Sequence, residues 1–396
     1  MQHQEVYFVD GVRTPFGKAG EKGVYWNTRA DDLVVKAMIG LLDRHPDLPR
    51  EAIDDVAIAA TTQQGDQGLT IGRTAAILAG LPESVPGYAI DRMCAGAMTS
   101  VTTTGSAIGI GAYDLALAGG VEHMGRHPMG FNADPNPRFL SEKLVSPDAL
   151  NMGCTAEKIH DRFPHLTKER ADAFAVGSQH KAAMAYQKGL IQPDLIPVSA
   201  GGPNGWNLVT QDELMRPEST LEGMQGLKTP FRAHGKVTAG NASPLTDGAT
   251  MSLMAGERAV AEFGLKPKMK MVSFAFAGVE PEIMGIGPIP ATEKALKKAG
   301  LSISDIGLFE INEAFAIQVL SFLDHFGLAD DDARVNKWGG AIAFGHPLAS
   351  SGVRLMNQLA GQFALHPEVK YGMTTMCIGL GMGGTVIWEN TGYRGK

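Results

Sequence analysis

Apolar positions along the 396-residue chain fall into two kinds of run that take turns. Short strand-like runs, such as residues 6–9 and 53–58, alternate with longer helix-like ones, such as 98–110 and 352–363. That alternation predicts an α/β architecture. The two halves also resemble each other. Ile53-Asp54-Asp55-Val56-Ala57-Ile58 in the first is echoed by Ile303-Ser304-Asp305-Ile306-Gly307-Leu308-Phe309 in the second. A glycine-rich junction follows each at nearly the same distance: 39 residues from Asp55 to Cys94, and 41 from Asp305 to His346. Each junction leads into an apolar helix (98–110 and 352–363), then a strand and a glycine pair (115–120 and 373–384). The pattern predicts an internal duplication, with two similar α/β units facing one another. Residues 122–246 break it. They are rich in Met, Pro, His and charge and read as a large insertion over one face. The expected division is 1–121 with 247–271 for the first unit, 122–246 for the insertion and 272–396 for the second.

Composition narrows the class of protein. A hydrophobic fraction of 44% and a charged fraction of 19% are those of a globular enzyme rather than a disordered or fibrous chain. A net charge of −7 argues against nucleic acid as a partner. No segment resembles a signal peptide or an apolar membrane span, and the C-terminal residues do not form a peroxisomal address. Three cysteines, at 94, 154 and 377, are too few and too scattered for a disulfide framework or a Cys-ligated zinc site. A reducing cytoplasm and no metal are the expectations.

Four motifs fall at the ends of expected elements. In Asp91-Arg92-Met93-Cys94-Ala95-Gly96-Ala97-Met98 a strand turns into a helix, whose N-terminus favours thiolate at Cys94. A buried cysteine acting as a small hydrophobe is the alternative. In Gly339-Gly340-Ala341-Ile342-Ala343-Phe344-Gly345-His346-Pro347 a second strand is expected to end with His346 just before a helix, placed to take and return a thiol proton. Cys377-Ile378-Gly379-Leu380-Gly381-Met382-Gly383-Gly384 joins a second cysteine to glycine amides able to stabilise an oxyanion, or forms a plain turn between core strands. Asn312-Glu313-Ala314-Phe315-Ala316, after the strand 307–311, offers an amide to position a water and a carboxylate to orient it, or else a helix cap.

In order and spacing these motifs, with Thr238-Ala239-Gly240-Asn241-Ala242-Ser243 and Asp247-Gly248-Ala249, resemble the thiolase family over nearly the whole chain. The resemblance implies a five-layer α-β-α-β-α arrangement of the duplicated units with an inserted loop domain. It implies Cys94 as the acyl-carrying nucleophile, His346 as its base and Cys377 as the second acid and base. Oxyanion holes would come from His346 with a water on Asn312, and from the amides of Cys94 and Gly379; Glu313 would orient rather than react. Coenzyme A enters as a substrate, with no permanently bound cofactor. Ser243 matches the family's pantetheine contact and Arg216 a residue near the adenine. Lys228, with Arg232 and Lys236, is a candidate for phosphate, and Ala314 and Phe315 are expected at the coenzyme A site.

Gly96-Ala97, Trp338, Ala349-Ser350-Ser351 and Met382 depart from the family's usual residues without removing a catalytic group. Asn151-Met152-Gly153 stands where short-chain biosynthetic members usually carry His-Met-Gly, which favours a degradative 3-ketoacyl-CoA thiolase of fatty-acid β-oxidation. Met124, Met129 and Met152 are candidates for an adaptable acyl tunnel. The resemblance also implies a homodimer or tetramer, and a partner subunit carrying hydratase and dehydrogenase activities. Three alternatives remain at this point: a biosynthetic acetoacetyl-CoA enzyme, a ketoacyl synthase (disfavoured by Cys377), and a non-catalytic coenzyme A-binding subunit.

Overall fold

Buried strands dictate the architecture. In the computed structural model, which describes residues 3–395, they run in chain order as β1 (Val6–Arg13), β2 (Gly17–Lys18), β3 (Asp55–Ala59), β4 (Tyr88–Ile90), β5 (Leu115–His123) and the hairpin β6 (Val198–Gly202) and β7 (Gly205–Val209). Then follow β8 (Thr246–Gly256), β9 (Met269–Gly278), β10 (Ile306–Ile311), β11 (Tyr371–Ile378) and β12 (Met382–Asn390). Residues 1, 2 and 396, at the outer ends of the expected first and last segments, lie outside the described residues.

All but the hairpin form one ten-stranded sheet of order β10-β11-β12-β9-β1-β8-β5-β3-β4, with β2 on β8. The duplication is written in the pairing. From the centre outward, β1-β8-β5 is antiparallel and β5-β3-β4 parallel; β9-β12-β11 is antiparallel and β11-β10 parallel. A single parallel bridge, Phe309 with Val335, takes the place that β4 holds in the first unit. Among the described residues, two register pairs, Tyr7–Lys270 and Phe8–Met269, form the strand ladder between the two half-sheets.

Side chains alternate along each strand, and β5, β8, β11 and β12 are buried on both faces along nearly their whole length. On β5, Leu115, Leu117 and Val121 face a cluster under the helices Ala30–Asp43 and Ile71–Leu78, while Ala116 and Ala118 face inward. On β12, Ile387 faces the outer helices Pro288–Ala299 and Ala316–His325, while Val386 and Trp388 face inward. The inward faces of both half-sheets share one cluster with Val101 of helix Gly96–Gly109 and Leu355 of helix Ser351–Leu365. Helix, sheet, helix pair, sheet and helix therefore stack as five layers. The middle helices cross where Gly352 has no side chain; a Cβ there would stand 2.4 Å from the Met98 amide nitrogen.

The connection from β11 to β12 is the short turn at Gly379-Leu380-Gly381. The equivalent connection from β5 to β8 carries all the residues between His123 and Thr246. That long connection includes helices Met152–Arg162 and Lys168–Gln187, and its Ala156, Ile159, Ala171 and Ala175 pack on the outer cluster of the second half. Among the described residues no helix is long and apolar enough to cross a membrane, and no group of three His, Cys, Asp or Glu side chains is arranged to hold a metal.

Candidate active site

Strand β4 ends at Ile90, and Asp91 accepts the Met93 amide at 2.6 Å, holding Met93 at φ 44°. This left-handed conformation, uncommon for a side-chain-bearing residue, turns the chain sharply into a 3₁₀ turn at Met93–Ala95 and helix Gly96–Gly109. Cys94 thus stands at the expected strand-to-helix junction, 6% exposed. Arg92 lies over the Phe276 ring of β9 at 3.9 Å, tying this turn to the second half.

The segment before His346 differs from expectation. Ala341–Phe344 is one helical turn rather than a strand end, flanked by Gly339 (φ 77°) and Gly345 (φ 101°). The cause is Glu313, a buried carboxylate that accepts the Ile342 amide at 3.2 Å, Ser178 Oγ at 2.6 Å and Asn336 Nδ2 at 2.7 Å. A ring of donors around one carboxylate favours a coiled turn over an extended ladder. His346 is followed not directly by a helix but by the 3₁₀ turn Leu348–Ser350, and helix Ser351–Leu365 begins five residues after it. Helix Ala316–His325 has no side-chain cap, so Asn312 and Glu313 are free of the capping role.

His346 is 4% exposed, its amide donating to Thr246 Oγ1 at 3.0 Å. Nδ1 lies 2.6 Å from Ser351 Oγ, whose hydroxyl can donate to the Pro347 carbonyl at 3.3 Å. That chain assigns the ring proton to Nδ1 and leaves Nε2 as the basic nitrogen. Asn312 Nδ2 stands 3.3 Å from Nε2 and 3.4 Å from Nδ1. Burial and the nearby Arg354 guanidinium push the imidazole down to about 3, so it rests neutral.

The amides of Gly379 and of Cys94 itself point at the Cys94 sulfur and favour its thiolate, but burial outweighs them and pushes the thiol up to about 11. Cys377 is fully buried; burial and the neighbouring Cys94 sulfur push its thiol well above the usual range. Both thiols and the imidazole are therefore uncharged at neutral pH. Over Gly379, where a Cβ would stand 2.6 Å from Met93 Sδ and 3.6 Å from Met152 Sδ, two thioethers close the site. Met124 is buried with its sulfur on the Thr246 amide, whereas Met129 is half exposed on the insertion.

The residues expected at coenzyme A fall into two groups. Arg216 lines a cleft of about 200 Å³ with Leu214, Met224, Leu227, Pro244 and Ile342. Ser243 sits at its rim, its amide donating to the Ala314 carbonyl at 2.9 Å, beside the bridge between Ala242 and Phe315. Ala314 and Phe315 are buried and present backbone here, while Lys228 is exposed next to the lining residue Leu227. Arg232 is taken up by Asp161 and Glu157. Sequence patterns left four site neighbours unread: Ser351, Thr246, Glu122 and Arg354. Glu122 accepts the Ala349 amide at 3.2 Å and Thr61 Oγ1 at 2.6 Å, joining the turn after His346 to the first half. Arg354 was detectable as the lone charge in an otherwise uncharged helix.

This pair of half-folds around a shared middle layer of helices is that of a family. The chain matches the Thiolase, N-terminal domain over residues 6–258 and the Thiolase, C-terminal domain over 265–390, and it belongs to the thiolase family of acyltransferases. It is 42% identical to the 3-oxoadipyl-CoA/3-oxo-5,6-dehydrosuberyl-CoA thiolase of Escherichia coli K12, over 98% of this chain and 99% of that one. It is also 42% identical to the 3-ketoacyl-CoA thiolase of Aliivibrio fischeri, with the same coverage. Human mitochondrial 3-ketoacyl-CoA thiolase superposes with a TM-score of 0.88 at 32% identity, covering 98% of this chain and 99% of that one.

Proposed function

We propose that the enzyme cleaves 3-ketoacyl-CoA with coenzyme A to acetyl-CoA and a shortened acyl-CoA, through an acyl group carried on Cys94. What supports this reading is a buried Cys94 thiol facing the Gly379 amide with the Cys377 thiol beside it, together with a buried, neutral His346 whose basic nitrogen is Nε2. Cys94 gives its proton to His346 Nε2 as its sulfur bonds to the 3-keto carbon. The oxyanion is held by a water on Asn312 together with protonated His346. Collapse breaks the bond between carbons 2 and 3, leaving a thioester on Cys94 and an acetyl-CoA enolate, which takes the Cys377 proton. Cys377 thiolate then removes the proton of incoming coenzyme A. The coenzyme sulfur attacks the thioester, whose oxyanion faces the Cys94 and Gly379 amides. Cys94 leaves as thiolate and recovers its proton from His346.

Coenzyme A would occupy the Arg216 cleft, with Ser243, Ala314, Phe315 and Lys228 along its course and the 122–246 insertion supplying most of the contacts. The same reading places the enzyme in cytoplasmic fatty-acid β-oxidation as a homodimer or tetramer, with a hydratase/dehydrogenase partner. Light scattering with and without such a subunit tests that assembly. A second reading, cleavage of a dicarboxylic 3-oxoacyl-CoA, is favoured by the name of the Escherichia coli relative.

Thiolysis rates across acetoacetyl-CoA, longer 3-ketoacyl-CoAs and 3-oxoadipyl-CoA separate these readings. Activity on longer chains is expected, abolished by Cys94→Ala. Turnover of the four-carbon substrate alone would replace the proposal with a biosynthetic role, and full activity in Cys94→Ala would end it.

A further inference from the structure

Behind Asn312 lies a buried charge that the acyl-transfer steps do not use. Arg354, fully buried on helix Ser351–Leu365, donates through Nη2 to Asn312 Oδ1 at 2.9 Å and through Nη1 to Gln358 Oε1. Its Nη1 is also 3.8 Å from Glu310 Oε2 on β10, whose other oxygen accepts Gln362 Nε2 at 2.6 Å. All five side chains belong to the second half, and Gln358 Nε2 reaches on to the Gly339 carbonyl, at the start of the segment that carries His346.

We propose that Arg354 is a positioning residue for acyl transfer: its guanidinium fixes the Asn312 carboxamide with Nδ2 turned toward His346, while Gln358 fixes the guanidinium. The proposal depends on the thiolytic reading only for the task given to Asn312. A carboxamide has two ends of nearly equal shape, and its neighbours decide which way it points. Reversed, Asn312 would set its oxygen against the lone pair of His346 Nε2 and its NH₂ against the Arg354 guanidinium. The contact with Arg354 would then become like-signed, and Nε2 would lose the donor that faces it.

Only a planar fork satisfies Asn312 and Gln358 together; a lysine ammonium is a single point charge on a flexible stem. Glu310 is the acidic group that faces this cation, 3.8 Å away and without a hydrogen bond to it. Burial pushes Glu310 up to about 8 and Arg354 down from its usual value, each partly offset by the other. Such a pair is not needed for stability alone, since well-packed apolar residues commonly serve as well. What it supplies here is a donor of fixed direction beside the amide of the site.

Arg354→Lys is the test, with steady-state kinetics on a 3-ketoacyl-CoA that the wild-type enzyme turns over. The expected result is a fall in kcat toward the about 10²–10³-fold loss typical of one missing oxyanion donor, with KM for both substrates little changed. In an Asn312→Ala background the same substitution should cost little more, because its effect passes through the amide. Multiplying losses in that cycle, or an unchanged kcat in the single variant, would overturn the proposal. Should Arg354→Lys fail to fold, Arg354→Gln paired with Glu310→Gln removes both buried charges and carries the same expectations. A neutron structure of either variant, which tells amide nitrogen from oxygen, reads the proposal without turnover: a carboxamide reversed or rotated away from His346 supports it, and an unchanged one overturns it. A wild-type enzyme inert toward every 3-ketoacyl-CoA would instead refute the thiolytic reading and leave that structural result standing.

Discussion

Cys94 stands where helix Gly96–Gly109 begins, a place that ordinarily favours thiolate, yet its thiol is pushed up to about 11. Two amide contacts at the sulfur are opposed by the loss of water around it, and the loss of water is the larger effect. His346 is pushed down to about 3, so it stays neutral through the same range. The resting enzyme therefore holds no thiolate–imidazolium pair, and the sulfur becomes nucleophilic only as its proton leaves. The sign of the pH dependence follows: thiolate is the charged form, so its fraction rises as pH rises toward 11. Alkylation of Cys94 by iodoacetamide, read by mass spectrometry, should be slow at pH 7 and climb about tenfold per pH unit up to pH 9. A plateau already reached at pH 7 would mean a preformed thiolate. Turnover should not share that slope, because neutral His346 is available throughout.

At the scale of elements, the turn bearing His346 is held by contacts rather than by propensity. Gly345 has φ 101°, and a Cβ there would stand 2.6 Å from Thr246 Oγ1, the acceptor of the His346 amide. Gly345→Ala should therefore destabilise by about 1–3 kcal/mol from backbone strain and displace the imidazole. The expected outcome is a lower Tm in scanning calorimetry and a fall in kcat of at least about tenfold, since small misplacements of catalytic groups cost rate steeply. Unchanged kcat would show that the turn absorbs the methyl without moving His346.

The same segment shows how far the amino-acid sequence alone is legible. The helices expected at 98–110 and 352–363 appear at Gly96–Gly109 and Ser351–Leu365, because continuous apolar runs announce buried helices. The duplicated order of strands is readable for the same reason. The turn Ala341–Phe344 reads instead as the end of a strand. Its shape comes from Glu313 and Ser178, distant in the chain, and no local pattern records them. Arg354 and Ser351 escape a sequence reading likewise, since their meaning lies in partners on other elements.

Across the whole molecule, two register pairs among the described residues form the ladder between the two half-sheets, so the ladder alone is a weak link. The stronger one is the middle layer, where Val101 and Met98 of one helix and Val353 and Leu355 of the other pack with strand residues of both halves, Ala116 and Met254 on one side and Met376 and Trp388 on the other. Cys94 belongs to that same cluster, so the proposed nucleophile is positioned by the packing between the duplicated units. Neither half can keep its inner sheet face from water without the other, and the two are expected to unfold together. Leu355→Ala, at a site fully removed from solvent, should cost about 2–5 kcal/mol. Although the substitution lies in the second half, hydrogen exchange of β5 and β8 should accelerate as much as that of β11 and β12. Calorimetry should record one transition at a lower temperature. Faster exchange confined to β9–β12, or two separated transitions, would mean that the halves are independent folding units and that the middle layer only brings them into contact. Shared destabilisation would make the fold's unity and the site's geometry consequences of one cluster, because the layer that couples the halves also carries the sulfur proposed to hold the acyl group.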